Sequence, residues 1–125
     1  MIRTAIMFAA FLGCVACAVE PETNGDYAGA VDGDSLYLES LETQIRLFGV
    51  DAPERSEIGF TASRVYLTKL VLRKSVSCRE IERDRYDRIV ARCFMKDGRE
   101  INRLMLDEPH TDEYCRYSKG HYGHC

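Results

Sequence analysis

Short runs in which apolar and polar residues alternate mark the first part of the chain after residue 26. Alternation with a period of two is typical of strands that bury one face. It predicts three strands, over residues 27–31, 35–41 and 44–50. Between the first two lies Asp32-Gly33-Asp34, which favours a hairpin turn.

The spacing of apolar residues then changes to that of a helix. Apolar positions three to four residues apart predict an amphipathic helix over residues 60–74. Strand character returns over residues 75–82 and 88–95, and a short helix is predicted over residues 100–106. This order predicts a mainly β domain with helices, in which five strands close into a small barrel that a helix caps.

The N-terminus has a third pattern. Arg3 precedes an apolar run of about thirteen residues from Ala5 to Cys17, and the small residues Ala16-Cys17-Ala18 lead into polar chain. Such a run is too short to span a bilayer comfortably and is typical of an export signal. We therefore predict a signal peptide over residues 1–18 and a periplasmic or secreted protein. A retained membrane anchor is one alternative, and a lipoprotein anchored through Cys14 is another.

A chain of 125 residues has room for one compact domain. We place an extended linker at residues 19–25 and the domain at residues 26–125. The charge is divided within that domain: residues 19–57 carry 2 basic and 10 acidic residues, whereas residues 64–92 carry 9 basic and 4 acidic ones. An acidic region followed by a basic one suits a protein that binds a cation and then a polyanion.

Four of the six cysteines lie outside the predicted signal. An even number in a small exported domain predicts disulfides. Cys78 and Cys93 lie at equal distances from the polar stretch around residues 85–86, as opposed residues of a hairpin would, and Cys115 and Cys125 bracket a short tail. We predict the pairs Cys78–Cys93 and Cys115–Cys125. A metal-thiolate site is the rival, but no Cys-x-x-Cys pair remains after residue 18.

Three polar motifs carry the candidate chemistry. They are Asp32-Gly33-Asp34, then Asp51-Ala52-Pro53-Glu54 with Arg46 five residues before its aspartate, and Asp84-Arg85-Tyr86-Asp87-Arg88. The set supplies carboxylates for a hard cation, one more to activate water, and arginines to clamp a phosphate. Phosphodiester hydrolysis needs this combination, because cations and fixed positive donors must offset the charge of its transition state.

In order and spacing these motifs resemble the staphylococcal nuclease (thermonuclease) family, over about residues 27–117. The resemblance implies a five-stranded OB-fold barrel. It also implies a Ca²⁺-dependent endonuclease of low sequence specificity, which acts on single- or double-stranded DNA and RNA and leaves 3′-phosphate ends. We expect a monomer.

The resemblance implies a metal site made of Asp34, Asp51 and the backbone carbonyl of Ala52, where threonine is usual. Carboxylates without histidine or cysteine suit a hard ion such as Ca²⁺. Taken alone, Asp34 is also a turn residue and Asp51 a residue of an Asx turn.

The resemblance also implies the catalytic residues. Arg46 and Arg88 match two arginines that contact the phosphate, and Glu54 matches the proposed general base. A guanidinium group suits that contact because its fork matches phosphate oxygens. A structural salt bridge is the alternative for Arg46, and a surface hairpin position is the alternative for Arg88.

Substrate-binding residues follow in the same way. Arg85 and Tyr86 match residues near a terminal phosphate, and Tyr117 or Tyr114 matches a tyrosine on which a base packs. Asp87 stands where glycine is usual, so we expect it to pair with Arg88 or to repel phosphate. The loop after Glu54 is shorter than is usual in the family, and residues 107–110 also depart from its pattern.

Two other function classes compete with the nuclease. One is a catalytically weak OB-fold module that binds nucleic acid or a protein, and the other is a structural protein of the cell envelope. The binding module predicts loss of at least one of Arg46, Glu54 and Arg88, yet all three are present.

Overall fold

The computed structural model describes residues 21–39 and 41–125. The predicted signal peptide, the alternative lipid site at Cys14 and the first residues of the linker lie outside the described residues. Within the described ranges, no helix is both long enough and apolar enough to cross a membrane.

The described residues form a small barrel, a two-stranded sheet beside it and three helices. The elements in chain order are β1 (Glu22–Asp32), β2 (Ser35–Leu38), β3 (Ile45–Leu47), β4 (Val50–Asp51), α1 (Phe60–Val71), β5 (Ser75–Arg83), β6 (Ile89–Met95), α2 (Ile101–Met105), β7 (Asp112–Glu113) and α3 (Cys115–Ser118).

Five strands close the barrel in the order β1-β2-β3-β6-β5. The β3–β6 pair is parallel and the other pairs are antiparallel. Strand β1 closes the circle because its first half pairs with β5 and its second half with β2, across register shifts near Gly29 and Val31. The predicted five-stranded barrel is confirmed.

The linker predicted over residues 19–25 is wrong for residues 22–25. These residues are the first part of β1 and pair with residues 76–79 of β5. They are three polar residues and a glycine that alternate between exposed and half-buried, so they lack the apolar alternation that marks a strand in a sequence. Backbone hydrogen bonds to β5, and not side-chain burial, place them in the sheet.

Apolar side chains from the strands and helices fill one core. Strands β2, β3, β5 and β6 contribute Leu36, Ile45, Leu47, Val76 and Ile89, and the helices contribute Leu67, Val71, Ile101 and Met105; all are almost fully buried. Helix α1 is three residues shorter than predicted, because Arg73 just beyond it adopts a left-handed conformation with φ of 59°.

Both predicted disulfides are present. Cys78 and Cys93 are directly opposite each other on β5 and β6 and are fully buried in the core. Cys115 and Cys125 close the C-terminal tail.

The tail is attached to the barrel through a small sheet that the sequence pattern did not predict. The strand expected over residues 44–50 is divided into β3 and β4 by Gly49, whose φ is 71°. β4 pairs with β7, and the Tyr114 amide donates to the Gly49 carbonyl at 2.8 Å. The buried Glu113 carboxylate accepts hydrogen bonds from the Ser118 hydroxyl and from backbone amides of the tail. The tail therefore lies beside the strand that carries Asp51.

Candidate active site

One cleft of about 800 Å³ collects the polar motifs. The β1–β2 turn, the segment from β3 to the loop after β4, the β5–β6 turn and the tail each supply part of its wall. Eight predicted site residues line it: Asp34, Arg46, Asp51, Glu54, Arg85, Tyr86, Arg88 and Tyr117. Ala52 is buried next to it, and the four cysteines are not among its lining residues.

Asp34 lies at the floor of the cleft, with 6% of its surface exposed. The Ala52 amide donates to its Oδ2 at 2.9 Å, the Ser35 hydroxyl donates to its Oδ1 at 3.1 Å, and Arg46 Nη2 lies 3.4 Å from Oδ2. The predicted metal ligands Asp34 and Ala52 are thus in direct contact, although 18 residues separate them.

Gly33 makes this contact possible. A Cβ atom at Gly33 would lie 2.7 Å from Cβ of Ser63 in α1 and 2.8 Å from Cβ of Ala52. Both distances are shorter than ordinary carbon contacts of about 3.5–4.0 Å. A side chain at Gly33 would therefore push the β1–β2 turn, and Asp34 with it, away from the rest of the site.

The two predicted metal carboxylates hold their protons more tightly than usual. Burial raises the pKa of Asp34 to about 7; Arg46 opposes this shift, and Asp32 adds to it. Burial also raises the pKa of Asp51, and the nearby carboxylates of Asp112 and Glu57 raise it further, against the effect of Arg46. A bound cation would favour the charged form of both groups.

The donor set fits a hard cation. Asp34, Asp51 and the Ala52 carbonyl offer only oxygen ligands, which Ca²⁺ and Mg²⁺ prefer. Over residues 21–39 and 41–125, no group of three or more histidine, cysteine or acidic side chains is arranged to hold a metal. Two carboxylates and a carbonyl would leave most of the coordination shell to water and substrate.

Arg46 is held by its own turn. It projects from β3, and its Nη1 donates to the carbonyls of Leu47 and Val50 at 2.8 and 2.6 Å. Together with the Asp34 contact, these bonds fix the guanidinium group at the cleft. The ion pair with Asp34 that a structural role requires is present, and the same side chain lines the cleft.

Arg88 is held by a carboxylate to which the sequence pattern had given no role. Its Nε donates to Oδ2 of Asp84 at 2.7 Å, and Oδ1 of Asp84 accepts the amides of Tyr86 and Arg88 at 2.9 Å each. Although burial opposes it, these bonds lower the pKa of Asp84. The spacing Asp-x-x-x-Arg in the third motif is the one feature of the sequence that indicates this pairing of Asp84 with Arg88.

The expectation that Asp87 pairs with Arg88 is wrong. The Asp87 carboxylate is exposed and accepts from Nη1 of Arg83 at 3.3 Å, whereas Arg88 is paired with Asp84. Asp87 has φ of 61°, a left-handed conformation that glycine adopts most easily. The geometry of the turn therefore explains why glycine suits this position.

The predicted substrate-binding residues lie on the exposed walls. Tyr86 is 66% exposed, and the guanidinium groups of Arg85 and Arg88 lie 4.9 and 5.4 Å from its ring centre. On the tail, the rings of Tyr114 and Tyr117 are 4.7 Å apart. Both tyrosines line the cleft, so the two alternatives for the base-packing residue form one aromatic pair.

Glu54 lies in the exposed loop between β4 and α1. Its amide donates to Oε1 of Glu57 at 2.8 Å, and the Glu57 amide donates to the Glu54 carbonyl, also at 2.8 Å. This turn fixes the Glu54 backbone and leaves its carboxylate open to the cleft.

Residues 44–124 match the family model for staphylococcal nuclease homologues. The chain belongs to the staphylococcal nuclease family. The matched segment contains the second and third motifs and the tail, and it begins after Asp34. The place of Asp34 in the site therefore rests on its contacts with Ala52 and Arg46.

Two relatives that are named as endonucleases agree with this placement, and a third relative has a different kind of name. A protein of Escherichia coli named "Uncharacterized endonuclease" is 32% identical over 94 residues, which cover 74% of this chain and 60% of that protein. The "Succinoglycan biosynthesis protein ExoI" of Rhizobium meliloti (strain 1021) is 27% identical over 106 residues, covering 76% and 54%. "Probable endonuclease LCL3" of Leptosphaeria maculans is 37% identical over 65 residues, covering 47% and 22%. The chain thus spans less than two thirds of the length of each.

Proposed function

We propose that this protein is an exported, Ca²⁺-dependent nuclease that hydrolyses DNA and RNA with low sequence specificity and leaves 3′-phosphate ends. The observation that carries the proposal is the convergence of Arg46, Glu54 and Arg88 on one cleft with the carboxylates of Asp34 and Asp51. The family and the names of the endonuclease relatives support it.

The two arginines supply the positive charge that the reaction needs. The transition state places additional negative charge on the phosphate oxygens, and donors that are already fixed stabilise that charge without reorganising. Arg46 is fixed by Asp34 and two carbonyls, and Arg88 by Asp84. A divalent cation held by Asp34, Asp51 and the Ala52 carbonyl would add Lewis-acid stabilisation.

Glu54 completes the reaction as general base. Its exposed carboxylate accepts a proton from a water molecule whose oxygen forms a bond to phosphorus. The bond from phosphorus to the 5′ oxygen breaks, so the phosphate stays on the 3′ end of one product. Glu54 is suited to this role because the Glu57 turn holds its backbone while its side chain remains exposed.

The binding module without catalysis is the second candidate. The basic residues and tyrosines of the cleft would serve it equally well. The presence of all three catalytic candidates in the cleft favours the nuclease.

Cleavage of plasmid DNA, single-stranded DNA and RNA, with Ca²⁺ and with chelator, tests the proposal. We expect Ca²⁺-dependent cleavage that falls by several orders of magnitude in Arg46→Ala, Arg88→Ala and Glu54→Gln. Arg99→Ala is the control, because Arg99 lies in an exposed turn outside the cleft lining. The products should resist extension by a polymerase until a phosphatase removes the 3′-phosphate. Full activity in excess chelator, or in the three variants, would refute the assignment, and N-terminal sequencing of the exported protein tests cleavage after Ala18.

A further inference from the structure

Five arginines line the cleft, and they differ in what they contact. Three of them are ion-paired with carboxylates of the described residues: Arg46, Arg83 and Arg88. Within the described part of the chain, the side chains of Arg85 and Arg116 form neither an ion pair nor a hydrogen bond. Arg85 already matches a residue near a terminal phosphate, whereas no role has been assigned to Arg116.

The backbone of Arg116 is fixed although its side chain is exposed. Arg116 lies in α3, directly after Cys115, whose disulfide to Cys125 closes the tail. The preceding strand β7 pairs with β4, and the buried Glu113 carboxylate accepts hydrogen bonds from Ser118 at the end of α3 and from the amides of Tyr122 and His124 beyond it. Arg116 is therefore a cation on a rigid support, at a fixed position relative to Asp51.

The position of Arg116 at the cleft is the second observation. It lines the same cleft as Arg85 and Arg88 of the β5–β6 turn, together with its neighbours Tyr114 and Tyr117. Nucleic-acid strands bind to grooves that combine cations for the phosphates with aromatic rings for the bases. An exposed guanidinium group also loses little hydration when it binds a phosphate, and its fork matches the phosphate oxygens.

We propose that Arg116 binds a backbone phosphate of the substrate strand that is not the phosphate being cleaved. The inference rests on the proposed function and makes the tail a subsite of that same cleft. A strand that crosses the cleft from the β5–β6 turn to the tail meets both Arg85 and Arg116. The preferred substrate is then an oligonucleotide or a longer strand, and not a single nucleotide.

The test is the salt dependence of binding by the protein with both disulfides formed. Affinity for a labelled single strand of about 16 nucleotides, the upper site size of an OB fold, is measured in chelator over a series of salt concentrations. Each phosphate contact contributes about 0.7 to the slope of log K against log salt for a single strand. We expect Arg116→Ala to reduce the slope by about 0.7, and Arg116→Lys to retain it.

Arg64→Ala is the matched control. Arg64 is an exposed helical arginine that does not line the cleft and has no ion pair among the described residues. The Arg64→Ala substitution removes the same charge and should leave the slope of log K against log salt unchanged. In cleavage assays with Ca²⁺, Arg116→Ala should raise KM and leave kcat near the wild-type value, because the lost contact is not to the reacting phosphate.

Four results would overturn the inference. An unchanged slope in Arg116→Ala, or an equal change in Arg64→Ala, would show that Arg116 does not bind a phosphate. A loss of kcat without a change in KM would place Arg116 at the reacting phosphate. A wild-type protein that neither binds nor cleaves nucleic acid would refute the proposed function and the inference together, whereas cleavage with an unchanged slope refutes the inference alone. If Arg116→Ala does not fold, Arg116→Gln serves the same measurement.

Discussion

Replacing Asp34 with asparagine should make the metal-free protein more stable at neutral pH while abolishing its activity. Asparagine has nearly the same shape, keeps one oxygen to accept the Ala52 amide, and carries no charge. Arg46 loses its ion pair but keeps the carbonyls of Leu47 and Val50. The substitution therefore removes mainly the cost of a buried negative charge.

The magnitude follows from the pKa of Asp34. Burial raises that pKa from 3.8 to about 7 in the folded protein. The folded state binds this proton more tightly than the unfolded state does. The protonated carboxyl group of Asp34 therefore contributes to the stability of the folded state fully below about pH 4, less as the pH rises, and not at all above about pH 7. At about 1.4 kcal/mol for each pKa unit, the charged carboxylate costs on the order of 4 kcal/mol at pH 8.

Urea unfolding of both proteins in chelator, at intervals from pH 4.5 to 8, measures the difference. We expect a difference of about 1 kcal/mol near pH 4.5, where the carboxylate of the unfolded chain is already mostly charged, and an advantage of Asp34→Asn that grows to the full magnitude at pH 8. Added Ca²⁺ should stabilise the wild type at pH 8, by about 2.7 kcal/mol at one hundred times its Kd, and should have little effect on the variant.

Asp97→Asn is the control, because hydrogen bonds from Arg99 lower the pKa of Asp97 and its removal should give no gain at pH 8. A difference between wild type and Asp34→Asn that does not depend on pH would refute the reasoning, as would a variant less stable than wild type at pH 8.

Three further predictions concern the support of the site. Replacing Cys78 and Cys93 with alanine should lower the free energy of unfolding by about 3 kcal/mol, since the disulfide closes a loop of 15 residues; equal stability with and without reductant would contradict this. Gly33→Ala should destabilise the protein by about 1–3 kcal/mol and lower activity, because its Cβ meets Cβ atoms within 2.8 Å; wild-type unfolding and turnover would show that the turn adapts. Asp87→Gly should change the free energy of unfolding by less than about 1 kcal/mol. It should also tighten nucleic-acid binding at low salt, because Arg83 is released from one carboxylate; weaker binding at every salt concentration would contradict this.

The sequence alone determined the first helix, both disulfides and the barrel strands, apart from residues 22–25 of β1. These elements follow from local patterns: a period of two in the strands, a helical period from residue 60, and cysteines placed symmetrically about a turn. The motifs also identified the residues that would line the cleft, because their spacing is distinctive even though each motif alone is common.

Only the tertiary structure decided which groups contact one another. Asp84, and not Asp87, holds Arg88, because the turn folds back so that Asp84 accepts both backbone and side-chain donors. Residues 22–25 belong to β1 because backbone pairing with β5 requires no apolar side chains.

Local sequence patterns likewise do not predict where the tail lies. The β4–β7 pair spans two residues on each strand, too short for any periodicity. Glu113 and a disulfide hold the tail in shape, and hydrogen bonds from Tyr114 to Gly49 and from Tyr122 to Glu100 attach it to the rest of the domain. Arg116 lies at the cleft because of that long-range pairing, which local sequence patterns do not predict. Local patterns specify elements, whereas the positions of single charges depend on contacts between distant segments.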